Sequence, residues 1–272
     1  MCRLCDKIML EGIIMRILTV GDVCGWVGCN FLLKTLPKLK ADNKIDFCIV
    51  NGENSADGNG ITPHSADMLY AAGADVITGG NHSMRRREVF DRLDSDPYLL
   101  RPENMHTSGA GKGYAEVDLG HTQMAVINLI GRVYLPEADD PFSTVDRLIE
   151  KAKQNGIKII LVDFHAEATA EKKALAYYLD GKASAVFGTH THVPTADEQI
   201  LPNGTGYISD IGMTGPDDSI LGVKKELSIA KIKDNAPVKF ELADGKCCLD
   251  GCIFDVDKST GKCISVTRVN IL

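Results

Sequence analysis

The sequence predicts a layered α/β domain whose C-terminal portion is antiparallel. Three observations carry this expectation. Short apolar runs rich in β-branched residues recur through the first two thirds of the chain, each closed by Gly, Asn, Asp or His. Amphipathic stretches at helical spacing lie between them, the alternation of a layered α/β fold. From about residue 234 onward, strand-like runs follow one another with Gly or Asp turns between them.

Taken in order, Met15–Val20 is the first strand and runs into Gly21-Asp22. A helix is expected over Phe31–Leu39. Phe47–Val50 is a strand closed by Asn51-Gly52-Glu53-Asn54. Thr62 before Pro63 suits an N-cap followed by an N1 proline, so a helix is expected over Pro63–Ala72. Val76–Thr78 is a strand leading into Gly79-Gly80-Asn81-His82, with a helix after it over Arg86–Leu93. Tyr114–Leu119 and Met124–Leu129 are expected strands, and Thr144–Gln154 is an expected helix. Ile157–Phe164 is a buried strand ending at His165. Glu167–Leu179 reads as a helix, and Ala185–Phe187 as a strand followed by Gly188-Thr189-His190-Thr191-His192. Val238–Leu242, Cys247–Val256 and Cys263–Ile271 are expected to finish the fold as antiparallel strands at its edge. With no repeat, low-complexity segment or linker, residues 15–272 are expected to form one domain. Residues 1–14, ahead of the first strand, are expected to be a disordered extension or a misplaced start.

Composition narrows the function. The 272 residues carry a formal net charge of -7, with 44% apolar and 25% charged residues, as in an ordinary soluble protein. The acidic balance argues against stable nucleic-acid binding by broad phosphate neutralisation. A small phosphorylated substrate remains compatible, because a bound cation reverses the local field. No apolar run approaches the ~20 residues that span a bilayer, so no membrane partner is expected. Nine cysteines, an odd number at irregular spacings, read as reduced thiols in a cytoplasm. Cys2 and Cys5 form a C-x-x-C ahead of the first strand, where a redox role is not expected. The composition is compatible with a homo-oligomer and does not decide it.

Strands of one α/β sheet deliver side chains to a shared crevice beyond their carboxyl ends. Five strands here end in candidate metal ligands: Asp22; Glu53 and Asn54; Asn81 and His82; His165; His190 and His192. Any one would read as a turn former, but five coincident strand ends would not. His64, His106 and His121 fall in helix or loop and read as solvated. His190 and His192, two apart in an extended segment, are expected to face one side. Eight groups exceed one tetrahedral zinc and fit two ions sharing a carboxylate, the arrangement used for phosphoryl displacement. Carboxylate, amide and imidazole donors without thiolate suit Mn, Fe or Zn better than Mg or Ca. Cys24 is read as a buried or peripheral thiol.

The series Gly21-Asp22, Gly52-Glu53-Asn54, Gly80-Asn81-His82, His165 and Gly188-Thr-His-Thr-His192 resembles the metallophosphoesterase (calcineurin-like) superfamily. The stretches NGENSADGNGIT, GGNH, RPEN, VINLIGR, DFHAEATAEK, SAVFGTHTHVPTAD and ISDIGMTGP resemble its YmdB-like branch of cyclic-nucleotide phosphodiesterases and span most of residues 15–225. Two departures from the superfamily pattern also point to that branch. Asp22 is followed by Val23 and Cys24 rather than by a D-x-H histidine, and Glu53 with Asn54 replaces the usual bridging Asp.

The resemblance implies a sandwich of mixed β-sheets flanked by helices. It implies a first metal held by Asp22, Glu53, Asn54 and His192, and a second held by Glu53, Asn81, His165 and His190. Glu53 would bridge them, and His82 would be the acid near the leaving group. The metals implied are two divalent or mixed-valence ions, iron or manganese, with zinc compatible. The activity implied is hydrolysis of 2′,3′-cyclic or 3′,5′-cyclic nucleotides. Two cations screen the diester's charge and give a bridging hydroxide near neutral pH, which attacks in line with a leaving oxygen that needs a proton.

Other features carry less. Arg85, Arg86 and Arg87 read mainly as an exposed helix start, with phosphate binding as the alternative. Arg101 and Arg132 are candidate phosphate contacts, Gly58-Asn59-Gly60 a candidate pocket wall, and Trp26 and Tyr178 candidate base-stacking aromatics against a default of core packing. The rival functions are a phosphomonoesterase or nucleotidase on the same site, and a regulatory protein sensing a phosphorylated metabolite.

Overall fold

The computed structural model describes residues 14–106 and 109–272. The expected N-terminal extension lies outside them, apart from Ile14, which belongs to the first strand.

Strand β1 (Ile14–Val20) buries both faces. Met15 and Ile17 point to one apolar cluster, Leu18 and Val20 to another. The same division, period two along a pleated strand, recurs in β3 (Phe47–Asn51) and β4 (Val76–Thr78). It recurs again in β6 (Gln123–Ile130), β7 (Ile159–His165) and β8 (Ala185–Thr189), whose second faces meet a third cluster. Chains with such near-continuous apolar runs need cover on both sides. The result is four layers, with two sheets packed face to face and helices outside each.

The first sheet has the order β2 (Asp22–Val23), β11 (Met213–Pro216), β12 (Cys247–Asp257), β1, β3, β4, with β13 (Cys263–Ile271) also paired to β12. The second runs β5 (Tyr114–Asp118), β6, β7, β8, β10 (Gly206–Ile208), β9 (Gln199–Ile200). Both are mixed: β1, β3 and β4 are parallel, as are β6, β7, β8 and β10. Between the sheets Phe187 and Phe254 pack with ring centroids 6.2 Å apart.

Helices α1 (Gly25–Asp42) and α2 (Pro63–Ala72) cover the first sheet. Helices α4 (Pro141–Gln154) and α5 (Thr169–Tyr178) cover the second. The expected capping at Thr62 is present: its side chain accepts from Ser65 N at 3.0 Å, and Ser65 Oγ accepts from Thr62 N at 2.9 Å. No described helix is long and apolar enough to cross a membrane.

Several expected elements differ. Helix α1 begins six residues before Phe31, because Gly25, Gly28 and Cys29 continue the buried stripe of Leu32, Leu36 and Leu39. A Cβ at Gly28 would lie 2.4 Å from Thr214 O, so glycine there permits close packing rather than ending the helix. The expected Arg86–Leu93 helix is a 3-10 turn over Arg87–Val89 followed by α3 (Phe90–Ser95). Val238–Leu242 is not a strand; Leu242 makes an isolated bridge to Val223. Most consequentially, β12 is interior, flanked by β13 on one side and by β1 and β11 on the other. Its eleven residues are buried or nearly so, which an edge strand could not sustain. Short strands β2 and β9 to β11, and helix α6 (Lys225–Asp234), had no counterpart in the expected elements.

The packing sets two stability scales. Thr62→Ala removes one helix cap and should cost about 1 kcal/mol. Phe254→Ala opens the core between the sheets and should cost about 3–5 kcal/mol. Urea unfolding of both variants checks the ranking; a larger loss at Thr62 would contradict the layer assignment.

Candidate metal centre

Each expected site residue sits at or just beyond a strand end. Asp22 opens β2, its N–H bonded to Gly212 O at 3.1 Å beside β11. Glu53 and Asn54 follow β3, Asn81 and His82 follow β4, His165 closes β7, and His190 and His192 follow β8. The structure brings all eight together from both sheets. Asp22, Glu53 and His165 are almost wholly buried, while His82, His190 and His192 are partly open.

One group gathers around His165. Its Nε2 lies 2.9 Å from Asn81 Oδ1, 3.0 Å from His190 Nδ1 and 3.3 Å from Glu53 Oε1. Glu53, His165 and His190 thus converge closely enough to hold one ion. A Cβ at Gly80 would sit 2.3 Å from both Glu53 Oε2 and His165 Nε2, so only glycine leaves that space open. A second group gathers around Asp22. Its Oδ2 accepts from His190 N at 3.2 Å, while its buried Oδ1 has no hydrogen-bond partner. The nearby imidazole atoms are His192 Nε2 at 3.8 Å and His165 Nδ1 at 4.0 Å. An orphaned carboxylate oxygen at that depth is costly unless a cation or proton satisfies it. The donors therefore fit the divalent cations that the resemblance implies.

The imidazole tautomers point the same way. His165 Nδ1–H donates to Thr189 Oγ1 at 2.9 Å, and Thr189 Oγ1–H donates to the buried Asp163 Oδ1 at 2.7 Å. His192 Nδ1–H donates to Leu221 O at 3.2 Å. His190 Nε2–H faces Glu167 Oε2 at 3.2 Å. In all three the outer nitrogen is bound to an oxygen and the inner one turns a lone pair into the cluster, the arrangement of ligating histidines. Asp163 also accepts from Asn51 Nδ2 at 3.2 Å and from Thr78 Oγ1, so the same carboxylate fastens one sheet to the other.

Charge is concentrated here. Burial favours a neutral Glu53, but the His165 and His82 imidazoles hold its carboxyl well below the usual range. Burial pushes Asp22 up, against the pull of His192 and His165. Burial disfavours a charged His165, yet Glu53 and Asp22 raise its pKa. His190 is pushed down to about 3 by burial and the adjacent His165 charge. The two carboxylates thus draw positive charge into the cluster.

The His190–His192 segment differs from expectation. Strand β8 ends at Thr189, and both histidines adopt positive φ, 100° and 62°. They face one site because of a strained turn, not because of strand alternation. Thr191 N donates to Asp210 Oδ2 at 3.1 Å, and that carboxylate pairs with the buried Lys172 Nζ at 2.7 Å, which holds the turn in place.

His82 lies beside the cluster. Its N–H donates to Glu53 Oε2 at 3.0 Å, and its Nδ1 faces Asn54 Oδ1 at 3.1 Å, leaving Nε2 on the cavity side, 3.5 Å from Asn59 Nδ2. Asn54 in turn directs Nδ2, not Oδ1, to Glu53 and His192, at 2.9 and 3.3 Å. Ligation by Asn54 therefore requires its amide to turn over, an exchange of nearly isosteric ends. Cys24 Sγ lies 3.7 Å from the outer nitrogen of His192, behind the imidazole.

The cluster opens into a cavity of about 540 Å³. Gly58 and Asn59 form part of its wall, as expected, and Arg85 lines it. Arg86 does not; it clamps that loop through Asn59 O and Asp57 O. Arg101 is buried and spent on the carbonyls of Ala110 and Pro102, so it is no phosphate contact. Arg132, Trp26 and Tyr178 are also absent from the lining. Trp26 stacks on His64, and Tyr178 meets Phe142 edge-on. Thr189, Asp163, Glu167 and Asp210 were not singled out from the sequence. Glu167, two residues after His165, carried the readable signal.

The YmdB-like protein family matches residues 18–269. The chain is 49% identical over 257 residues to the 2′,3′-cyclic-nucleotide 2′-phosphodiesterase of Bacillus subtilis (strain 168), covering 94% of this chain and 97% of that one. A crystal structure of a novel phosphatase from Mycoplasma pneumoniae superposes with TM-score 0.88 at 34% identity, over 95% of this chain and 93% of that one. The fold alone is shared with a 5′-nucleotidase precursor from Thermus thermophilus, at 13% identity and TM-score 0.59, over 95% of this chain and 54% of that one. The expected metallophosphoesterase-like sandwich is the fold observed, and the chain belongs to the YmdB-like protein family.

Proposed function

We propose that the protein is a dinuclear metal-dependent phosphodiesterase that opens 2′,3′-cyclic nucleotides. Its relatives include a named phosphodiesterase and a named phosphatase, and the chain is a phosphoric ester hydrolase. The observation that carries the metal reading is the shared posture of His165, His190 and His192, each anchored on its outer nitrogen with the inner one facing Glu53 or Asp22. The 2′,3′-cyclic class is favoured over the 3′,5′-cyclic one by the name of the Bacillus subtilis relative.

Asp22, Glu53, Asn54 and His192 would hold the first ion, and Glu53, Asn81, His165 and His190 the second. Two bound cations would offset the diester's anionic charge and supply a nucleophile at neutral pH. Iron or manganese suits the donors, with zinc compatible. His82 Nε2 faces the cavity, where it can protonate the departing alkoxide. Arg85 adds positive charge at the cavity wall. The cysteines among the described residues are all free and buried, which supports a reducing cytoplasm.

Metal content tests the shared ligand. Wild-type protein purified without oxygen should carry about two ions per chain. Glu53→Ala should release both, and Asp22→Ala mainly one, by elemental analysis. Full activity with a single ion would overturn the dinuclear reading.

Thr189→Val should remove the acceptor for His165 Nδ1–H and weaken binding of one ion about 10–100-fold, while Thr189→Ser keeps it. Metal-competition titrations read this directly, with thermal melting as the control for folding.

His82→Ala should retain both ions and lose about 10²–10⁴-fold in kcat on a 2′,3′-cyclic nucleotide. Bis-p-nitrophenyl phosphate already has a good leaving group and should lose far less. Equal losses on the two substrates, or loss of an ion, would count against the acid role. A higher kcat/KM on p-nitrophenyl phosphate than on any cyclic diester would favour a phosphomonoesterase instead.

A further inference from the structure

The cavity has two unlike walls. One is the polar cluster; the other is apolar and comes from the chain after residue 220. Leu221, Val223, Phe240 and Leu242 line the same space as Glu53, His82 and His192. Phe240 and Leu221 are 53% and 48% exposed, so these side chains face the opening rather than a core.

This wall is built, not incidental. Ala243 N donates to Gly222 O at 2.9 Å and Lys224 N donates to Glu241 O at 3.0 Å, tying the two segments into a ribbon. Lys224 Nζ adds a contact to Glu241 Oε2 at 2.7 Å. Leu221 adopts φ 54°, a left-handed backbone unusual for a branched side chain. Its carbonyl accepts from His192 Nδ1, so the apolar wall and the cluster share a hydrogen bond. A phosphoryl group needs only the polar end. A cavity of about 540 Å³ holds a ligand much larger than phosphate.

We infer that Phe240, backed by Leu221 and Leu242, is the platform on which the nucleobase of the substrate stacks while its cyclic phosphate occupies the polar cluster. The inference rests on the nucleotide reading above and deepens it. Trp26 and Tyr178, the aromatics singled out in the sequence, lie off the cavity, and Phe240 is the aromatic on its wall. Stacking tolerates any base, because every base has a π-face.

The test compares Phe240→Ala, Phe240→Trp and wild type on 2′,3′-cyclic AMP and on a baseless ribose 2,3-cyclic phosphate. Phe240 is exposed, so both variants should fold. Phe240→Ala should raise KM for the nucleotide about tenfold more than KM for the baseless diester, with the loss in KM rather than kcat. Phe240→Trp should restore the nucleotide KM. Equal changes on both substrates would overturn the platform. Calorimetric binding of adenosine 3′-monophosphate, with inorganic phosphate as the baseless probe, separates the two proposals. If turnover is absent but Phe240→Ala still weakens nucleotide binding selectively, the phosphodiesterase reading fails and the platform stands. If the variant binds both probes like wild type, the platform fails regardless of turnover.

Discussion

Two carboxylates, Asp22 and Glu53, are held at 0% and 1% exposure where the two sheets meet. Removing such charges from water costs several kcal/mol each unless opposite charge and hydrogen bonds surround them. Much of the surrounding architecture answers that demand. The ends of β7 and β8 in the second sheet supply three imidazoles, Gly80 after β4 of the first keeps the space between Glu53 and His165 clear, and backbone N–H groups of His82 and His190 reach the carboxylates. Asp163 extends the same logic one step outward. It ties Asn51 and Thr78 of one sheet to Thr189 of the other, so the relative position of the clustered side chains depends on a buried hydrogen-bond network and not on loops alone.

The strained turn bearing His190 and His192 shows how locally unfavourable geometry persists. Positive φ at non-glycine residues costs of order 1–3 kcal/mol each. The turn is retained because Asp210 captures Thr191 N and is itself neutralised by a buried lysine, Lys172. Two backbone conformations that a peptide would avoid are thereby made the ground state, with both imidazoles already oriented.

Much of this was legible in the sequence. The strands carrying the candidate ligands are short, apolar and closed by Gly, Asn, Asp or His, so their existence and their terminal residues follow from composition and period. What escaped detection has physical causes. The first turns of helix α1 contain Gly25 and Gly28, which suppress a helical reading there although these glycines serve close packing. Strands of two to four residues, such as β2 and β11, are too short to show a period and exist because neighbours pair with them. The central place of β12 is a matter of tertiary pairing, which local pattern does not encode. Among site residues, the groups anchoring the clustered histidines are ordinary Thr, Asp and Glu side chains whose contacts are visible only once distances are known. Phe240 is similar, an aromatic in a segment that reads as a strand and is not one.

The interior position of β12 also governs how the chain comes to exist. Strand β1, the first described element, pairs along its whole length with residues 251–257, and Gly21 N bonds to Asp250 O. Asp22 is seated by β11, nearly two hundred residues later in the chain. Synthesis proceeds from the N-terminus, and non-local pairings form slowly. A nascent chain therefore carries an open β1 edge, apolar on both faces, and an unseated Asp22 until β11 and β12 have left the ribosome. That edge closes only when β12 emerges, so the cluster around Asp22 is among the last parts of the fold to be completed.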